Sequence, residues 1–361
     1  MSADKKKRKP NIKRIVIAVL LLLAVIAGGL IISFFVFRGH GKKALLAENK
    51  REIKIEELIP EEDIEVDGTI NYKGEKYVFN PDVMTFLFMG IDHREDLVEI
   101  DEVSDYQKGG QADALILMVI NHKTKKVNLI NVNRNSMAEM EVYNKDGELI
   151  DTEVKQICLA HGYGTGHEDS CERQVEAVSQ LFNFLQINGY YSLELNGVDK
   201  LNDFMGGVEV EVLENIPYGS EVLKTGQGKT VTLMGKDARM YVQYRDVKSF
   251  NSVESRMARQ KQYISAMFAK ILEKTKEDAT FPIKLLDVLS EYTVTNLDSS
   301  RISYLATTCV NYEFDTENIY TLSGETVEND EGYEEFYVDE DSLKDLIFEM
   351  FYEKLSEKEI N

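Results

Sequence analysis

The chain has 361 residues, 43% of them hydrophobic and 29% charged, with a formal charge of −21. That length allows two domains or one large one, and a core that needs neither disulfides nor metal to fold. Lys and Arg number 42 against 63 Asp and Glu, which excludes general nucleic-acid binding, because neutralising phosphates takes clustered cations. The charge is also unevenly spread. Residues 1–14 hold seven basic side chains and one Asp, a local +6, so the remainder carries −27.

The stretch Ile15–Phe37 has 23 residues and no charge. As a helix rising ~1.5 Å per residue it would span ~34 Å, enough to cross a bilayer core. A cleavable signal peptide fits less well, because the apolar run is long and no small-residue cleavage site follows it. Seven basic residues precede the segment and Arg38, Lys42 and Lys43 follow it. The bias predicts a cytoplasmic tail (1–14), one transmembrane helix (15–37) and an extracellular remainder of a single-pass membrane protein. Residues 38–84 are mixed and charged and read as a stalk or linker, with the folded domain expected over 85–361. Cys158, Cys171 and Cys309 permit one bridge, Cys158–Cys171, or three buried thiols.

Within that domain, TFLFMGI (85–91), ALILMVI (114–120) and VNLINV (127–132) are short apolar runs of buried-strand type, the last two joined by the turn NHKTKK. A polar insertion separates the first two. Val175, Val178, Leu181, Phe182 and Leu185 recur at helical spacing. YYSLELN (190–196) reads as a strand, VDKLNDFMGG as a short helix, VEVEV (208–212) as an alternating strand, and 237–245 and 252–274 as helices. The tail continues with helix, strand and helix patterns over 275–361. This order predicts an α/β (α+β) fold, a central mixed sheet sandwiched by helices.

No nucleophile elbow, phosphate loop or zinc spacing is present. Polar residues instead gather at strand ends and on one helix: Asp92 and Arg94 after the first strand, Asp113 before the second, Arg134 after the third, and Arg245, Arg256, Arg259 and Gln260 farther on. Two carboxylates with several guanidiniums suit a pyrophosphate with magnesium, since magnesium takes one or two carboxylates and arginine offers paired donors to phosphate. The same residues also fit surface ion pairs.

At these residues the sequence resembles the LytR-CpsA-Psr family of Gram-positive cell-envelope proteins. FLFMGIDHR is similar to the family's G-x-D-x-R strand end, and GQADALILMVINHKTKKVNLINVNRNS to its G-R-S-D-T, N-P-K-T-K-K and P-R-D-T segments. QICLAHGYG, LNDFMGGVEVEV, LMGKDARMYVQYR and RMARQKQ match later segments in order. The resemblance implies transfer of a glycopolymer, teichoic acid or capsule, from a polyprenyl-pyrophosphate carrier to peptidoglycan, with a tunnel for the lipid. It also implies that Asp92 and Asp113 hold Mg2+ (or Mn2+), and that Arg134, Arg245 and Arg256 grip the pyrophosphate with Arg94 and Gln260 nearby. The chain departs from the family pattern at Gln111, Asn135, Gln243 and Val253. Those departures motivate a competing expectation, a catalytically weakened envelope protein that binds polyprenyl phosphates or wall glycans. A regulatory role is disfavoured by the acidic charge and the absence of a DNA-reading motif.

Overall fold

The computed structural model describes residues 33–46, 53–92, 110–144, 148–164, 166–246 and 252–356. Helix α1 (33–46) is followed by the hairpin β1 (Ile70–Tyr72) and β2 (Glu75–Phe79), then strands β3 (Val83–Ile91), β4 (Ala112–Asn121) and β5 (Lys126–Val132). A ribbon, β6 (Met137–Tyr143) and β7 (Leu149–Gln156), leads to α2 (His167–Leu181), β8 (Gly189–Glu194) and α3 (Gly197–Phe204). Next come β9 (Val208–Glu211), α4 (Glu221–Thr225), β10 (Thr230–Leu233), α5 (Gly235–Gln243) and α6 (Ser252–Glu277). Helix α7 (Phe281–Val288), β11 (Thr293–Thr295), α8 (Ser299–Cys309) and β12 (Glu313–Thr321) follow. The hairpin β13 (Gly324–Glu328) and β14 (Glu334–Val338), helix α9 (Glu340–Phe351) and β15 (Tyr352–Lys354) complete the described chain.

The central sheet has the order β11-β8-β3-β4-β5-β12. It is mixed: β4 runs antiparallel to β3 and β5, whereas β8 is parallel to β3 and β12 to β5. Because side chains alternate along a strand, the two faces of β3 carry different sets. Leu87, Met89 and Ile91 join Leu115, Leu117 and Ile130 in a core closed by α2 and α9 through Val178, Phe182, Leu343 and Ile347. Phe86 and Phe88 point to the other face, toward α6 and α8. The α/β sandwich expected from the order of apolar runs is therefore present, with helices on both faces of the sheet.

One expectation needs correction, and one open alternative is decided. Residues 38–84 are not a stalk where they are described. Leu45 on α1 is fully buried against Met84 and Phe86, Ile59 and Ile70 enter the main core, and β2 pairs with the C-terminal β15. The apolar residues scattered among the charges of this stretch, Ile53, Ile55 and Ile59 among them, are its inward face. Cys158 and Cys171 are not bridged; all three cysteines are free, and these two are buried. The ribbon β6–β7 lies beyond the expected elements, although Ala138, Met140 and Val142 alternate with Glu139 and Glu141.

Of the expected transmembrane segment, only residues 33–37 are described, and they are helical. No helix among the described residues is long and apolar enough to cross a membrane. Of the polar insertion expected between the first two strands (95–111), only Gly110 and Gln111 are described.

The last helix tests whether the C-terminal continuation belongs to the same cooperative unit. Ile347 of α9 is fully buried in the main core. Truncation of Ile347→Ala should lower the unfolding free energy by about 2–5 kcal/mol in a single urea transition. A separate early transition would make α9 an independent appendage.

Burial also raises the pKa of all three thiols, to about 11 for Cys171 and about 12 for Cys309. The folded pKa values lie above the unfolded ones, so this contribution to stability is complete below ~8.5 and falls as pH rises toward them. At pH 8 the folded protein should be alkylated by iodoacetamide at least ~100-fold more slowly than a free thiol, and all three cysteines should react once it is unfolded. Fewer than three reactive thiols without reductant would restore the bridge.

Candidate functional site

Between the sheet and the helices α3, α6, α7 and α8 lies a cavity of about 380 Å³. Its floor follows the alternation of β3, so that Phe86, Phe88, Gly90 and Asp92 step along one face at two-residue intervals. Phe88 and Met118 are only half-buried although they sit mid-sheet, because they face this space rather than packed atoms. Opposite them stand Ile264, Met267, Phe268 and Ile271 of α6, with the Phe268 ring edge-on to Phe88 at a centroid distance of 5.0 Å. The lining is apolar over nearly its whole length.

Polar groups gather at one end. Asp92, Asp113, Gln243, Arg256 and Gln260 all line the cavity there. The local backbone explains two of them. Asp92 follows β3 directly, on the face already used by Phe86 and Phe88. Asp113 falls in a register shift, where Gly90 pairs with Ala114 and Ile91 with Ala112, leaving Asp113 without a ladder partner. A bulge of this kind re-aims the side chain it releases. Gly110, at φ +70, turns the incoming chain tightly against the Asp92 carbonyl, a backbone conformation suited to glycine.

Asp113 is the shared acceptor of the site. One oxygen takes a hydrogen bond from Arg134, and the other lies 3.6 Å from Nη1 of Arg256. Arg134 is further held by Gln111, whose Oε1 accepts from Nη2 at 2.6 Å, and by the Cys158 sulfur at 3.0 Å. Burial opposes the Arg134 charge, but Cys158 and Asp113 outweigh it and its pKa rises. Burial lowers the pKa of Arg256, with Asp113 and Asp92 opposing and Arg134 and Arg245 reinforcing the shift. Arg256 thus lies within electrostatic reach of Asp92, Asp113, Arg134 and Arg245.

The remaining candidates divide. Arg245 is exposed just beyond α5 and does not line the cavity, and neither does Arg134. Gln260 donates to the Val242 carbonyl at 3.2 Å, tying α6 to α5. Arg94 and the side chain of Val253 lie outside the described residues. Arg259 is a structural residue, 1% exposed. It donates to the carbonyls of Tyr241 and Tyr244 and pairs with Glu214, so it fixes the end of α5 from which Arg245 projects. Burial pulls its pKa down to about 10.

Sequence reasoning missed what Gln111 and Cys158 do, since neither carries a charge or a motif. The signal was their sequence position, beside Gly110 and at the start of QICLAHGYG. The second segment is anchored to the first by His161, whose Nδ1 is 3.2 Å from the Gly110 carbonyl.

The LytR_cpsA_psr family model matches residues 43–351. The chain belongs to the LytR_cpsA_psr family. Among its relatives, the polyisoprenyl-teichoic acid–peptidoglycan teichoic acid transferase TagU of Oceanobacillus iheyensis is 27% identical over 254 residues, covering 68% of this chain and 69% of that protein. The crystal structure of B. subtilis TagV superposes with a TM-score of 0.56 at 20% identity, covering 74% of this chain and 96% of that one. A structure of TagT bound to LI-WTA gives 0.52 at 18% identity, with 74% and 89% covered. These structural likenesses establish a LytR_cpsA_psr fold for the chain, with its central mixed sheet and flanking helices.

Asp113 is the residue on which the polar end depends. Replacing Asp113→Asn should leave Arg134 and Arg256 without their shared charge at half-buried and buried positions. Unfolding free energy should fall by about 1–3 kcal/mol, less than for a fully buried pair because Asp113 and Arg134 keep some solvent. The companion Gln111→Ala should cost under about 1.5 kcal/mol, one hydrogen bond of Arg134. Equal losses for the two variants would contradict the assignment of Asp113 as the hub.

Proposed function

We propose that this protein is a cell-wall glycopolymer transferase, moving a polymer from a polyprenyl-pyrophosphate carrier to a hydroxyl of peptidoglycan on the outer face of the cytoplasmic membrane. One observation carries the reading: a single cavity, apolar for most of its length, ends at Asp92, Asp113 and Arg256. Such a space complements an amphiphile with a long hydrocarbon tail and an anionic phosphate head. The family membership and the named activity of TagU support the same choice. The placement rests on the basic tail and apolar segment of the N-terminus.

In this scheme the carrier's prenyl chain lies along Phe88, Ile264 and Phe268. Arg256 and Arg134 bind phosphate oxygens as charge-assisted donors, and Arg245 adds a third cation from the rim. Asp92 and Asp113 are two hard oxygen donors at the same end, and no third His, Cys, Asp or Glu joins them in a cluster among the described residues. That donor set fits magnesium, which takes one or two carboxylates and completes its shell with phosphate oxygens and water. The ion would supply further neutralisation of phosphate charge. The acceptor hydroxyl oxygen attacks the polymer-linked phosphorus, and the bond between that phosphorus and the bridging oxygen breaks. Polyprenyl monophosphate leaves with the bridging oxygen, and the hydroxyl proton passes to solvent or to the leaving phosphate. The guanidiniums lower the barrier by holding charge where it accumulates.

Gln243 favours a second reading, a protein that binds the carrier but turns it over poorly. It lines the cavity mouth at the end of α5, where the family pattern has an arginine, and it brings no charge.

Two experiments separate these readings. Asp92→Ala and Asp113→Ala should each weaken magnesium-dependent binding of a polyprenyl pyrophosphate, whereas Asp330→Ala, in the exposed turn of the β13–β14 hairpin, should not. Equal loss in all three would point to general charge. Gln243→Arg should raise transfer by about ten- to a hundredfold if it restores one charge-assisted contact in the transition state. Tighter binding with no turnover would favour the binding protein, and unchanged behaviour would show that the mouth lacks no cation.

A further inference from the structure

Helix α8 is a wall one helix thick. Ile302, Leu305, Ala306 and Cys309 share one face and line the cavity. The opposite face, with Ser300, Tyr304, Thr307 and Thr308, is covered by α1. Arg38 donates from Nε to Thr307 Oγ1 at 2.7 Å and from Nη2 to Thr308 Oγ1 at 2.9 Å, and its guanidinium lies 5.4 Å from the centre of the Tyr304 ring. Gly41 is buried against the backbone of Ser300, where any Cβ would run into the Ser300 carbonyl. Leu45 completes the contact, fully buried beside Tyr304 and Leu297.

The contact has a direction. Arg38 meets the C-terminal end of α8, Gly41 its N-terminal end, so the two helices are antiparallel. Phe37, one residue before Arg38, ends the 23-residue apolar segment, and Phe34, Phe35 and Phe37 are exposed. Gly41 is only about 6 Å farther along the helix. The C-terminal end of α8, with Cys309 and Val310 in the cavity wall, therefore sits beside the place where that segment stops. Asp92 is far from it: the six residues of β3 back to Phe86 span about 20 Å.

We propose that the Cys309–Val310 end of the cavity abuts the bilayer surface and is the portal through which a lipid tail passes between membrane and cavity, with α1 fixing it there. The occupant of this surface is the lipid bilayer, as the end of the apolar segment and the exposed aromatic residues at its edge require. The identity of the tail rests on the transferase reading; the membrane apposition does not. With the tail entering at Cys309 and the phosphates held at Asp92, the carrier's head is lifted from the membrane while its tail stays continuous with it.

A ligand-free measurement decides the apposition. Full-length protein carrying Cys309→Ala and Asn311→Cys is labelled with bimane and reconstituted in vesicles of brominated phosphatidylcholine. Asn311 is exposed and follows the C-terminal end of α8 directly. A matching label at Asp330→Cys, in the hairpin turn, is the reference. Quenching at 311 should exceed that at 330 by at least ~threefold, as expected for a site at the lipid interface. Equal quenching, or none at 311, would overturn the proposal while leaving the carrier-binding reading intact.

Gly41→Leu, which separates α1 from α8, should cut binding of vesicle-embedded polyprenyl pyrophosphate at least ~tenfold. Binding of detergent-dispersed farnesyl pyrophosphate should be unchanged. A parallel fall in both, or in neither, would contradict the portal. Failure of the parent chain to bind either lipid would instead refute the transferase reading.

Discussion

One carboxylate, shared by two guanidiniums, organises the polar end of the cavity. Asp113 is released from the β3–β4 ladder by a bulge and meets Arg134 from β5's end and Arg256 from α6. It thereby ties the long helix to the sheet at the point where the cavity lining changes from apolar to charged. Burying guanidiniums is costly without a partner, and a single acidic partner leaves part of their charge uncompensated. Arg134, Arg245, Asp92 and Asp113 all act on Arg256 at this end of the cavity.

Two departures from the family pattern have local partners that change their meaning. Gln111 accepts a hydrogen bond from Arg134, which an arginine there could not do. Asn135 is buried, with its Nδ2 3.5 Å from the Glu334 carboxylate of β14, where an aspartate would face like charge. Gln111 thereby supports Arg134 directly. Gln243 is different, because it faces the cavity itself. Among the departures whose side chains are described, Gln111 and Asn135 thus have local partners, and Gln243 faces the cavity.

The central strands were legible because β3, β4 and β5 are buried on both faces and read as nearly unbroken apolar runs. The charged ends of these strands were legible for a related reason: Asp92, Asp113 and Arg134 close apolar runs and have nowhere to go but the sheet's rim. Strand β12 was not, since an edge strand reading EFDTENIYT mixes charged residues with few apolar ones and looks like loop. Nor was the docking of α1, which depends on the absence of a side chain at Gly41 and on a single Leu. Neutral supports such as Gln111 and Cys158 carry no pattern at all; only the fold brings them to Arg134. Arg259 misled in the opposite direction, its charge suggesting a ligand when burial and carbonyl partners make it a brace.

The proposed transfer requires the cavity between β3 and α6 to hold the carrier's prenyl tail, with its phosphates at Asp92, Asp113 and Arg256. Photocrosslinking tests it most directly. A polyprenyl phosphate bearing a benzophenone within its chain is bound to the full-length protein in detergent, irradiated, and mapped by peptide mass spectrometry. The account predicts adducts in the peptides of β3 and α6, at Phe88, Ile264 or Phe268, and their loss under competition by unlabelled polyprenyl pyrophosphate. Adducts confined to the exposed surface, or insensitive to the competitor, would contradict it.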